Sequence, residues 1–355
     1  MNKTMKAAVY YRNNDIRIEE VPVPDIDDDE LLIQTIACGL CGGEAMEWYH
    51  IKRAPKVMGH EPAGIVVRAG KKVKNFKEGD RVFVNHHVPQ LNSHQSLRGH
   101  FTKDAAYKKS ELRPGAMCQY FKASAAHVAN GTFRLPDELD FETATLLEPW
   151  GCVLGGLKVS GIRPGDTVTV VGCGFMGQGF VHLSRLFGAG LICACDLSDW
   201  RLDKALALGA SCTINPSKED AVERLRSLNN GLRSDVVIVT VPSVKALEQA
   251  FSLAETGATI HMNAPPPPDQ AMAFNPSDMY EREIELTTKY SADQYDIYQL
   301  FRLFNAQRLE PRKAITHRFE LEGIAEAFNL LLKGNESLKS IIYPNGMNEG
   351  GHYAL

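Results

Sequence analysis

The apolar positions of this chain fall into two textures. Up to about residue 150 they come in short β-branched runs separated by Gly, Pro and charged turns: KAAVYY at Lys6, LLIQTIACG at Leu31, AGIVVRAG at Ala63 and DRVFVNHHV at Asp80. Such runs predict short strands of a β-rich domain. From about Gly161 the pattern alternates between strand and helix. DTVTVVG, GLICACD, ASCTINP, DVVIVTV, ATIHMNA and IELTTKYS read as strands, while GQGFVHLSRLFGA and WRLDKALALGA carry helical spacing. Apolar strands alternating with helices predict a parallel, doubly wound sheet covered on both faces. Two further helical patterns follow, YDIYQLFRLFNAQ and IAEAFNLLLKG, and then the strand-like KSIIYP. The texture thus changes twice, at about Gly161 and at about Ser291. The Gly-rich end, NGMNEGGHYAL, is read as loosely held.

Composition changes the picture little. The 355 residues carry a net charge of −4, which gives no basis for nucleic-acid or membrane-surface binding. No run approaches the length of a membrane span and none has the shape of a signal h-region, so a cytoplasmic address is the default expectation. The eight cysteines are scattered through apolar segments rather than framing short loops, which predicts reduced thiols. DIDDDE, Asp25 to Glu30, reads as a solvated acidic turn.

The first chemical signal lies at TVTVVGCGFMGQGF. Gly172, Gly174 and Gly177, with Phe175 and Met176 in the variable positions, form G-x-G-x-x-G after a strand and at the start of a helix. The first glycine permits the tight turn, the second lets a pyrophosphate approach the backbone, and the third lets helix pack on strand. The next strand, GLICACD, ends in Asp196. A carboxylate there accepts bonds from the adenosine ribose hydroxyls and repels a 2′-phosphate, which favours NAD over NADP. Arg201, five residues on, is a group able to serve a phosphate instead. The expected cofactor is NAD.

The second signal is GHEPAGIVVRAGKKVKNFKEGDRV, with Gly59, His60, Glu61, Gly64, Gly70, Val73, Gly79, Asp80 and Val82 at fixed spacing. The word G-H-E-x2-G-x5-G-x2-V resembles the signature of the zinc-dependent medium-chain dehydrogenase/reductase family, which includes sorbitol, threonine and alcohol dehydrogenases. The resemblance runs from MKAAVYY to LKSIIYP and is closest in texture to the polyol and threonine branch. It implies an α/β fold class: a GroES-like β-barrel catalytic domain of residues 1–152, to which 293–355 return, plus a Rossmann doubly wound parallel-sheet domain of residues 153–292, with the active site in the cleft between them.

The resemblance also implies one catalytic zinc. Cys41, in Gly39-Leu40-Cys41-Gly42, matches the first ligand, which makes the C-x-x-C spacing with Cys38 a coincidence. His60 matches the second, and Glu148 of LLEPWGC matches the third. Three such ligands leave a fourth position open, as a catalytic zinc needs. Glu61 is implied either beside the ligands or as an exchanging fourth ligand, and Lys339 as a cation against the cofactor pyrophosphate. The chemistry implied is hydride exchange between NAD(H) and a small-molecule alcohol or carbonyl substrate, in a homodimer or homotetramer.

Two departures stand out. The family segment C-G-[ST]-D-x-H reads here Cys41-Gly42-Gly43-Glu44-Ala45-Met46. Gly43 has no hydroxyl and Met46 no exchangeable proton, so the usual proton relay is missing. Glu44 stands where an Asp steadies the zinc-bound His and, one methylene longer, retains the chemistry to do so. In the second departure, four structural-zinc cysteines are replaced by Gln90, Ser93, Ser96 and Asp104, so no structural zinc is expected. His86, His87, His94 and His100 read as polar loop histidines. Trp48, Tyr49 and Tyr120 are candidates for a substrate wall, and Trp150 for narrowing the pocket near zinc. The reading these observations favour is a zinc-dependent enzyme for a secondary alcohol of a polyol, sugar or amino-alcohol. The alternatives are a relay-deficient member that binds NAD and zinc in a regulatory role, and a dehydrogenase for an unusual substrate.

Overall fold

The computed structural model describes residues 3–334 and 336–347, and the end of the Gly-rich tail, from residue 348, lies outside the described residues. The chain forms two compact units. One comprises the residues up to Pro149 together with those from Asp293 onward, and the other runs from Trp150 to Ala292. The division falls three residues before the expected 152/153 boundary, inside the helix Leu147–Val159.

The first unit is built from β1 (Thr4–Arg12), β2 (Asp15–Pro22), β3 (Leu31–Leu40), β4 (Lys56–Val57), β5 (Glu61–Ala69), β6 (Arg81–Val84), β7 (Tyr120–Ala123) and β8 (Thr132–Arg134). β2, β1 and β4 make a small antiparallel sheet. β3 is the central strand of a larger sheet and pairs with β5 and β7, so its run LLIQTIACGL is buried almost throughout. Met5, Tyr10, Ile33, Phe121 and Phe328 belong to the core of this unit. Tyr120 packs against that core, because β7 lies along β3.

The second unit contains β9 (Thr167–Val171), β10 (Leu191–Cys195), β11 (Cys212–Ile214), β12 (Ser234–Val239), β13 (Ala254–Met262) and β14 (Glu285–Thr288). Their spatial order is β11-β10-β9-β12-β13-β14, and every pairing is parallel. The reversal between β9 and β12 is the switch point at which doubly wound sheets hold nucleotides. β9 is buried at every position, Thr167 and Thr169 included, as expected of a strand covered on both faces.

The chain then returns to the first unit with β15 (Ile315–Glu320) and β16 (Lys339–Tyr343). β16 pairs antiparallel with β3 through Ser340, Ile341 and Ile342. Asn345 is tied down by donating to the Thr35 and Gln119 carbonyls, so the start of the expected loose tail is held. Among the described residues no helix is long and apolar enough to cross a membrane.

Two sequence expectations need correction here. Glu30 of the acidic turn is buried, not solvated. Its carboxylate accepts from Lys122 Nζ at 2.7 Å and from the Asp27 amide at 3.1 Å. Trp150 is fully buried within the second unit, its ring against Phe175 and His182. A Cβ added at Gly179 would lie 2.8 Å from its Nε1, so the indole packs on the following helix and does not narrow a pocket.

Candidate metal and cofactor sites

Cys41, His60 and Glu61 come together although they leave different strand ends. Cys41 follows the last residue of β3, and His60 and Glu61 stand at the entry to β5. Because β3 and β5 are antiparallel neighbours, with Gly39 opposite Glu61, the end of one strand meets the start of the other. One donor atom from each of the three residues lies within 4.8 Å of the other two. Cys41 Sγ accepts from the Gly43 amide at 3.3 Å.

Glu44 orients the histidine. Its Oε1 receives His60 Nδ1 at 2.9 Å and the Gly59 amide at 3.1 Å. With Nδ1–H committed to a carboxylate, Nε2 is the ring nitrogen that remains to take a cation in place of its proton. Burial would raise the Glu44 carboxyl, but the His60 bond and charge outweigh it and hold it at about 2. Burial pushes His60 towards its neutral form, while the Cys41 sulfur and Glu44 outweigh that and hold it well above the ordinary histidine value. A thiolate, an imidazole fixed in the right tautomer and a carboxylate fit the donor set of Zn²⁺.

Glu61 is fully buried and pairs with Lys339, whose Nζ donates to its two oxygens at 3.0 and 2.8 Å and to the Leu40 carbonyl at 3.2 Å. The ammonium is itself buried. The structure therefore places Lys339 as a counter-ion of Glu61. The space for this pair depends on a missing side chain, since a Cβ on Gly39 would lie 2.0 Å from Glu61 Oε2.

Glu148 is buried but stands outside the Cys41–His60–Glu61 group among the described residues. It is linked to that group through His86. Glu148 Oε1 lies 3.8 Å from His86 Nδ1, and the His86 ring centroid is 4.8 Å from that of His60. Sequence reasoning took His86 and His87 for polar loop residues, and this is corrected: both are largely shielded, because they follow directly on the buried strand β6. Burial, and then the neighbouring His87 and His60, push His86 well below the ordinary value, so it is neutral. The position of NHHV straight after a core strand was the signal available for this.

In the relay segment, a Cβ on Gly43 would touch Cys41 Sγ at 3.4 Å and Met46 Cε at 3.9 Å, an ordinary fit with no clash. His50, buried, has Nε2 3.0 Å from the Gly43 carbonyl. Trp48 and Ile51 nearby are exposed apolar side chains. At the four substituted cysteine positions, Asp104 accepts from the Gln90 and Ala106 amides, both at 2.9 Å, and Ser93 caps the short helix His94–Leu97. Backbone hydrogen bonds to a carboxylate thus organise this lobe.

In the second unit the three glycines of the turn have separate geometries. Gly172 has φ of +92°, the left-handed region that a side chain disfavours. At Gly174 a Cβ would meet nothing within 4 Å, which leaves the backbone open to a ligand. At Gly177 a Cβ would lie 1.9 Å from the Gly172 carbonyl oxygen, so helix and turn pack in direct contact. Phe175 and Met176 open the helix Phe175–Leu186, whose first amides face the turn. Asp196 follows β10, accepts from the Cys173 amide at 2.7 Å and the Ser198 amide at 2.8 Å, and stands 3.8 Å from Arg201.

Comparison with known proteins matches residues 27–137 to the alcohol dehydrogenase GroES-like domain and residues 176–306 to the zinc-binding dehydrogenase domain. The chain is 31% identical to a sorbitol dehydrogenase of Bacillus subtilis over 97% of its own length and 98% of that protein's. The chain belongs to the zinc-binding medium-chain dehydrogenase family. Its two units are accordingly the GroES-like and Rossmann-like domains of that fold. The structure of 2R,3R-butanediol dehydrogenase from Bacillus subtilis is similar with a TM-score of 0.84 and 27% identity, covering 96% of this chain and 100% of that one. A structure from Sinorhizobium meliloti 1021 bound to NADP matches with a TM-score of 0.85 and 25% identity, covering 97% and 100% of the two chains.

Proposed function

We propose that this family member is an NAD-dependent, zinc-containing dehydrogenase acting on a secondary alcohol or ketone of a polyol, sugar or amino-alcohol. The observation that carries the reading is the convergence of Cys41, His60 and Glu61 with Glu44 on His60 Nδ1. Bound at that centre, zinc supplies Lewis-acid polarisation of the substrate oxygen, and the nicotinamide supplies the hydride acceptor or donor. The chain's own residues do the rest. Cys41 and His60 hold the cation, with Glu148 or Glu61 as the third donor. Glu44 keeps His60 in the binding tautomer, and Lys339 neutralises Glu61 so that a buried carboxylate is tolerable beside the thiolate.

On the cofactor side, the open backbone at Gly174 admits the pyrophosphate and the Asp196 carboxylate accepts the ribose hydroxyls. That carboxylate repels a 2′-phosphate, which supports NAD over the NADP found in the Sinorhizobium relative. The sorbitol and butanediol dehydrogenase relatives support a substrate with neighbouring hydroxyls. A hydroxyl-bearing substrate also answers the gap at Gly43, since its own polar groups stand where a Ser or Thr hydroxyl would have been. Assembly as a homodimer or homotetramer belongs to the same reading.

The test is elemental analysis of the purified chain and of Cys41→Ala, followed by a screen for NAD reduction over polyols, sugars and amino-alcohols. One zinc per chain, lost in the variant, together with turnover of one of these classes supports the reading. Zinc and NAD binding without turnover on any of them favours the relay-deficient binding role, for which Gly43 is the specific observation.

A further inference from the structure

A second pair of reactive groups lies away from the metal centre, in the nucleotide-binding unit. Cys193 on β10 and Cys212 on β11 are direct register partners in neighbouring parallel strands. Adjacent strands run about 4.8 Å apart, inside the range of Cα separations that a disulfide spans. Both thiols are free, and Cys193 belongs to the apolar cluster against which Cys212 packs, so the two side chains share one face of the sheet. Cys193 is fully buried, whereas Cys212 is only partly buried and sits on β11, the edge strand of the sheet. Cys195, two residues along β10, faces Ile214, so among the described residues of these strands Cys193 alone has a cysteine opposite.

We propose that Cys193 and Cys212 form a reversible oxidation site, closed to an intrachain disulfide by a peroxide. The roles of the two thiols are unequal. The S–H of Cys193 donates to the Cys212 sulfur and lowers its pKa; burial opposes this, and Arg224 adds to the lowering. Cys212, on the edge strand and the less buried of the two, is thus the sulfur that meets the oxidant, reacting as its thiolate. It attacks one oxygen of the peroxide, the O–O bond breaks, and Cys212 becomes a sulfenic acid while the departing hydroxide takes a proton to become water. The Cys193 sulfur then attacks the Cys212 sulfur, the S–O bond breaks, and the Cys193 proton leaves with the hydroxide as a second water. Two thiols lose two electrons and two protons, and the peroxide gains both. The product staples the edge strand to β10, the strand that Asp196 follows.

The experiment uses the full-length, zinc-loaded protein exposed to a stoichiometric amount of hydrogen peroxide, then alkylated and digested with trypsin. Arg201 and Lys204 separate the two cysteines, so the bond joins two peptides that are otherwise distinct. The expected result is the loss of alkylatable thiol at both Cys193 and Cys212, a linked peptide lighter by two hydrogens, and restoration of both thiols by dithiothreitol. Cys195→Ser keeps the link, and Cys193→Ser leaves a sulfenic acid on Cys212 that dimedone traps. If Cys193→Ser does not fold, the wild-type peptide map decides alone. The proposal is overturned if Cys212 stays fully alkylatable after peroxide, or if the bond found joins any other pair.

Discussion

Replacing Glu44 isolates how much of the metal centre rests on a residue that is not itself a ligand. Its Oε1 alone serves both the His60 ring at 2.9 Å and the Gly59 amide at 3.1 Å, while Oε2 has no closer partner than Lys56 Nζ at 3.8 Å. Glu44→Gln with its amide oxygen in the place of Oε1 keeps both bonds and loses only the charge. Glu44→Ala loses both and leaves a buried amide and a buried ring N–H without acceptors, a cost of about 1–3 kcal/mol for each group. Outer-shell partners of this kind are worth roughly 10–100-fold in metal affinity, which is about 1.4–2.8 kcal/mol. The expected order of zinc affinity is wild type, then Glu44→Gln, then Glu44→Ala. The assay is competition against a chromogenic chelator, with urea unfolding of the metal-free forms measured alongside. Should Glu44→Ala lose stability yet hold zinc as tightly as wild type, the reasoning that Glu44 fixes the ligand tautomer is refuted.

Other perturbations read other parts of the structure. Gly39→Ala places a methyl on Glu61 Oε2, and overpacking of this kind costs about 1–3 kcal/mol, measured as a lower urea midpoint with zinc affinity falling in parallel. Asp196→Ala removes the ribose acceptor and the charge that repels a 2′-phosphate, so the KM for NAD rises and the NAD/NADP ratio of kcat/KM falls; an unchanged ratio contradicts the cofactor assignment. Glu142 bonds Arg318 at 2.6 and 2.7 Å and also Tyr343. Burial raises its carboxyl, but these partners outweigh burial and hold it below the ordinary range. A carboxyl depressed in the folded state adds stability that is present above its unfolded pKa, about 4.3, and is lost as pH falls through the lower folded value. Glu142→Gln therefore unfolds at lower urea than wild type near neutral pH, and the gap narrows in acid.

Much of this was legible because certain residues have one physical use at their spacing. The three glycines at 172, 174 and 177 carry three distinct geometric demands, and each is visible in the sequence as the absence of a side chain. Glu44 was legible through the family resemblance, which places a carboxylate at this position to steady the histidine. What escaped was pairing over long separations. The burial of Glu30 goes with its bond to Lys122, and His86 meets Glu148 far along the chain; neither partner has a local signal. Trp150 was misread because two residues of helix turn it well away from the face that carries Glu148. The partner of Glu61 comes from Lys339, 278 positions later.

That last distance sets an order of events during synthesis. β3, Cys41 and His60 leave the ribosome early, and the Rossmann-like unit, continuous from Trp150 to Ala292, follows with all its strands local to one another. The charge that makes Glu61 tolerable in a dry interior arrives only with β16, which also completes the pairing of β3. Until then the carboxylate beside the thiolate is uncompensated, and the pocket has reason to stay open to water. Closure of the pocket around Glu61 therefore waits for β16, and a chain stalled before Lys339 carries the signature motif without the buried ion pair that lies beside it.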